Sequence, residues 1–126
     1  MDSITIELYS LPSGKEPYTE WKSRLNKDVL VIVSSRLARL RGGNFGDCKS
    51  VGNGVCELKI PCGPGYRIYY GKKGKSIVIL LCAGDKSTQK KDIKKAQEYW
   101  EDCSAKKQRG KNEKIQKLQR RSFQRS

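Results

Sequence analysis

With 126 residues, 36% of them hydrophobic and 32% charged, the chain is long enough for one small core and too short for two ordinary domains. Its net charge of +14 comes from 27 Lys and Arg against 13 Asp and Glu, which favours a polyanionic partner over an acidic or uncharged role. There is no His, and the five cysteines include no C-x-x-C pair, so the usual zinc sets would have to be all-cysteine. No metal and no cofactor are expected. The start MDSITIELYS lacks the basic and apolar segments of a signal peptide, and the run SIVILLCAG is far too short for a membrane span. The expectation is a cytoplasmic protein with reduced thiols and no membrane association.

The charge is uneven. Residues 104–126 hold nine basic residues and one acid, with few apolar side chains among them. This segment reads as a basic tail, disordered or a frayed helix, following a folded domain over 1–103.

In chain order, ITIELYSL (4–11) alternates weakly and reads as a short strand. PSGKEP is a turn, with Glu16 and Pro17 suited to a helix start. Tyr18, Trp21 and Leu25 recur at helical spacing. After a break near Asn26, a second amphipathic helix is marked by Val29, Ile32, Val33, Leu37 and Leu40. Gly42 and Gly43 are its stop signals. The two helices predict a helical hairpin.

Three strands follow. VCELKIP (55–61) puts Cys56, Leu58 and Ile60 on one face and Glu57 and Lys59 on the other. In YRIYY (66–70), Tyr66, Ile68 and Tyr70 oppose Arg67 and Tyr69. GKKG (71–74) reads as a hairpin loop. SIVILLCA (76–83) is apolar on both faces and belongs inside the sheet. From Thr88 the pattern is helical again, with Ile93, Ala96, Trp100 and Cys103 as one stripe and Ser87 or Thr88 as the cap. Trp21 and Trp100 read as core residues. The fold class is α+β, with a C-terminal helix before the basic tail.

Read from the residues alone, Arg67 is either a solvated strand charge paired with Glu57 or a phosphate clamp. Lys59 and Lys86 can add positive charge, with Lys86 at a strand end beside a helix start. Glu57 can serve as a general base or merely neutralise a basic surface, and Asp85 has the same two readings. Tyr69 can stack a base or pack in the sheet. Lys49, Arg36, Arg39 and Arg41 can track RNA phosphates or form a solvated helix end and strand. Gly63, Pro64 and Gly65 shape the turn that aims Tyr66 and Arg67. GDKST lacks the glycine pattern of a P-loop, which argues against nucleoside triphosphate binding.

The words YTEWKSRL, RLARLRGGNFGDCKSVGNGVCELKI, GPGYRIYY and LLCAGDKSTQKKDIKKA occur in the order found in one family. Over about residues 4–100 the chain resembles the RelE/ParE superfamily of toxins from bacterial toxin–antitoxin modules, and within it the HigB-like, or addiction module killer, branch. The resemblance implies a helical hairpin packed on a small twisted antiparallel sheet. It also implies metal-independent mRNA cleavage, usually on the ribosome, that blocks translation. A cognate antitoxin, a small helix-turn-helix protein encoded nearby, would be its partner.

Gly65-Tyr66-Arg67 matches the family strand whose Arg contacts the scissile phosphate. Lys59 matches an assisting residue on the preceding strand, and Glu57 stands where a second basic residue would be. Lys86 fits the basic residue after the last strand. Asp92 falls near the place of the C-terminal Tyr used by some members, and the His used by others is absent. The same fold hosts gyrase poisons of the ParE type, so a non-enzymatic toxin and an RNA-binding degenerate toxin are the alternatives.

Overall fold

The structure, a computed structural model, describes residues 3–105. The basic tail expected at 104–126 lies outside the described residues apart from its first two positions, which continue a helix. The chain runs through β1 (Thr5–Leu8), α1 (Pro17–Ser23), α2 (Lys27–Arg41), β2 (Cys48–Gly52), β3 (Val55–Ile60), β4 (Tyr66–Lys73) and β5 (Ile77–Asp85). A short 3₁₀ turn over Lys86–Thr88 leads into α3, residues 89–105. The class is α+β, with one sheet in the order β1-β5-β4-β3-β2.

The sheet is mixed rather than antiparallel throughout, because β1 pairs with β5 in parallel while the other neighbours are antiparallel. The edge strand β2 has no counterpart in the sequence reading. It is short and mostly exposed, so it carries little apolar alternation. GKKG is not the hairpin loop that was expected: β4 continues through Lys73, and the turn follows at Gly74.

Asn26 is the break between the first two helices and the N-cap of α2, its side chain accepting from the Val29 N–H at 3.0 Å. The end of α2 is a Schellman motif. Gly43, at φ +91°, donates to the Leu40 carbonyl, and Asn44 donates to the Arg39 carbonyl. The chief contacts of α1 run to β5 rather than to α2, so the expected helical hairpin is not shown.

Two apolar clusters sandwich the sheet. On one face Val33, Leu37 and Leu40 of α2 and Tyr18 of α1 meet Leu58, Ile60, Ile68, Tyr70, Val78 and Leu80. Val31 and Ile32 of α2 stay exposed, so Ile32 falls outside the buried stripe assigned to it. On the other face Val55, Tyr69, Ile79, Leu81 and Cys82 meet Ala96, with Ile93, Trp100 and Cys103 packed around them as the stripe predicts. Coverage on both sides explains why β5 is apolar on both faces. A bulge at Leu81 puts two consecutive residues, Leu81 and Cys82, toward α3.

Trp100 packs against the backbone of β4 at Gly71. A Cβ added to Gly71 would sit 2.3 Å from Trp100 Cε3, so close packing of α3 requires glycine there. Gly71→Ala is expected to lower stability by about 1–3 kcal/mol through overpacking. Urea unfolding followed by far-UV circular dichroism checks this, and the midpoint should fall with the slope unchanged.

Candidate phosphate-binding site

The site lies at the end of the α3-covered face, where α3 begins and the sheet emerges from under it. Cross-strand register builds it. Glu57 pairs with Tyr69, Lys59 with Arg67, and Lys49 of β2 with Glu57. The period of two therefore brings Lys49, Glu57, Lys59 and Arg67 to one face. With Asp47 they line a pocket of about 140 Å³.

Arg67 is 6% exposed and Glu57 is 2% exposed, so both charges are nearly removed from water. Burial at that level demands partners. Arg67 Nη1 donates to the Gly65 carbonyl at 2.7 Å, and Arg67 Nε lies 3.7 Å from Glu57 Oε1 without a hydrogen bond. The carbonyl is presented by the Gly-Pro-Gly turn. Gly65 holds φ +80°, a region that side chains disfavour, and its N–H closes the turn on the Cys62 carbonyl. Sequence reasoning assigned that turn to aiming Arg67, and the Gly65 carbonyl is the physical means.

The Glu57 carboxylate has two further partners. Lys49 Nζ stands 3.9 Å from Oε1, and Gln89 Nε2 donates to Oε2 at 3.0 Å. The sequence reading missed Gln89. Its signal was positional: it opens α3, directly after the capping segment.

Lys86 does not line the pocket but is exposed beside it, its Cβ 3.8 Å from where a Cβ on Gly65 would lie. Tyr69 is fully buried between sheet and α3, so its ring does not offer a stacking surface to a base. Desolvation first, then the nearby Glu57 and Asp92 carboxylates, push its phenol above the ordinary range. Arg36, Arg39 and Arg41 sit on α2, in the layer on the opposite face, and none of them lines the pocket. Arg36 instead donates to the Phe45 carbonyl at 3.4 Å.

Asp85, not Ser87 or Thr88, caps the turn into α3. Its side chain accepts from the Ser87 N–H at 2.8 Å, while the Thr88 side chain meets the Asp85 N–H. Burial pushes the Cys82 thiol up to about 12. Among the described residues no group of three or more His, Cys, Asp or Glu is placed to hold a metal ion. No described helix is long and apolar enough to cross a membrane.

The hydrogen bonds from Ser87, and more weakly the Arg67 charge, hold the Asp85 carboxyl below its ordinary range. A carboxyl whose folded value is lowered adds stability above its unfolded value, and loses it as pH falls through the folded one. Asp85→Asn keeps a capping oxygen and removes only the charge, so it should destabilise the protein at neutral pH by about 0.3–1 kcal/mol. The difference from the parent should close in acid, below about pH 4. Unfolding midpoints measured across pH check both parts.

No protein-family model matches the chain. A Haemophilus influenzae protein, described as an uncharacterized protein, is 50% identical to it over 80 residues, which span 63% of this chain and 81% of that protein. The chain belongs to the same family as that Haemophilus influenzae protein.

Proposed function

We propose that the protein is a RelE/ParE-type toxin of the HigB-like branch, a metal-independent endoribonuclease that cuts mRNA on the ribosome. One observation carries the reading: Arg67, Lys49 and Lys59 converge with Glu57 on a single pocket of about 140 Å³. Cations and a carboxylate side by side suit a phosphodiester whose neighbouring hydroxyl must lose a proton. The family words quoted above add to it. So does the order of elements, with two helices before a β-meander and a third helix after it.

In this reading the RNA 2′-oxygen attacks the adjacent phosphorus, and the bond from phosphorus to the 5′-oxygen breaks. The 2′-OH proton passes to Glu57, and the leaving 5′-oxygen takes a proton at the solvated mouth of the pocket, where Lys59 is exposed. The products are a 2′,3′-cyclic phosphate and a 5′-hydroxyl. The Arg67 guanidinium is preorganised by the Gly65 carbonyl and Glu57, so it meets the growing phosphorane charge without reorganising. Lys49 and Lys59 hold the flanking phosphates, and Lys86 extends that charge past the turn. A net charge of +14 also suits an acidic antitoxin segment as the silencing partner.

Arg67→Ala should lower message cleavage in a translation extract by about 10²–10³-fold. Arg67→Lys should recover only part of it, because an ammonium cannot bridge two phosphate oxygens. Primer extension on the message measures the cuts, and end-group analysis should find the cyclic phosphate. Uncut transcripts together with failing DNA supercoiling after induction would move the protein to the gyrase-poison class.

A further inference from the structure

A buried carboxylate that is to take a proton must present one particular oxygen. The last torsion of a glutamate is broad and roughly twofold, so the side chain alone does not choose which oxygen faces the pocket. The two cations near Glu57 do not choose well either. Arg67 Nε and Lys49 Nζ stand 3.7 and 3.9 Å from Oε1, beyond hydrogen-bond distance and weakly directional. The amide of Gln89 is different, because it donates to Oε2 at 3.0 Å and so fixes the rotation.

The strand-to-helix corner aims that amide. Gly84 ends the buried part of β5, and a Cβ there would sit 1.9 Å from Asp92 Oδ2, so the first full turn of α3 presses directly on the strand backbone. Thr88 Oγ1 donates to Asp92 Oδ2, and Asp85 caps the turn before it. The start of α3 is thereby pinned to β5, and Gln89 reaches across β4 to Glu57 on β3.

We propose that Gln89 is a positioning residue: its amide holds Oε2 of Glu57 so that Oε1 faces the pocket as the proton acceptor. The inference rests on the ribonuclease reading above. It separates two glutamines of one helix by role. Gln97 also reaches a strand, donating to the Val51 carbonyl at 2.9 Å, but it lies away from the pocket and only ties α3 to β2.

The test is cleavage kinetics of the full chain, with kcat and KM measured separately, for Gln89→Met, Gln89→Asn and Gln97→Met. Methionine keeps the length without the donor, and asparagine keeps the donor but falls a methylene short. Both Gln89 variants should lose about 10–100-fold in kcat with KM within about twofold, as misplacement of a catalytic group does. Their unfolding midpoints should stay near the parent's. Gln97→Met should keep the parental kcat. Parental kcat in both Gln89 variants overturns the positioning role and leaves the ribonuclease reading standing. A rise in KM at unchanged kcat makes Gln89 a binding contact and overturns the role too. No cleavage by the parent chain overturns the ribonuclease reading, and the inference with it.

Discussion

A buried charge pair sets the terms for this molecule. Glu57 and Arg67 sit side by side on adjacent strands, each less than a tenth exposed, on a sheet face that elsewhere is covered by α3. Neither ion alone is tolerable at that depth, and the pair alone leaves donors and lone pairs unfilled. The surroundings supply part of what is missing: a turn carbonyl for the guanidinium, and an amide and an ammonium for the carboxylate, while Arg67 Nε keeps no hydrogen bond. Each contributor comes from a different element, so the pair binds the β3–β4 turn, β2 and the start of α3 into one unit.

That constraint accounts for the corner at the end of β5. The helix must begin close enough to the strand for Gln89 to reach β3. Gly84 allows the approach, Asp85 satisfies the orphan N–H groups of the turn, and Thr88 ties it to Asp92. Cost accompanies the arrangement. Desolvation pushes the Asp92 carboxyl above its ordinary range, while the Thr88 hydrogen bond and nearby lysines pull the other way.

Much of this was legible in the residues, for identifiable reasons. Period-two alternation placed Glu57 and Lys59 opposite Leu58, and Arg67 opposite Ile68, because a slip by one residue would turn these charges into the apolar α1–α2 layer. Asn26, Gly42 and Gly43 marked the limits of α2 through capping chemistry that is local. Tertiary features were not legible. Alternation does not say which flank a strand joins, so the parallel pairing of β1 with β5 could not be read. Tyr69 looked available because it shares a face with Arg67, yet α3 closes over one and not the other. Gln89 carried no motif. Its role depends on register between β3 and α3, 32 residues apart in sequence.

The two tryptophans stand on opposite sides of the sheet: Trp21 packs with the α1 and α2 layer, Trp100 with the α3 layer. Trp21 meets Tyr18 and Tyr66 edge-on or tilted, while Trp100 rests on glycine backbone. Each indole thus senses a different half of the core, in a different electronic environment. The molecule carries a built-in pair of optical reporters, one for each layer, able to show whether the helix that shapes the pocket detaches before the rest of the fold gives way.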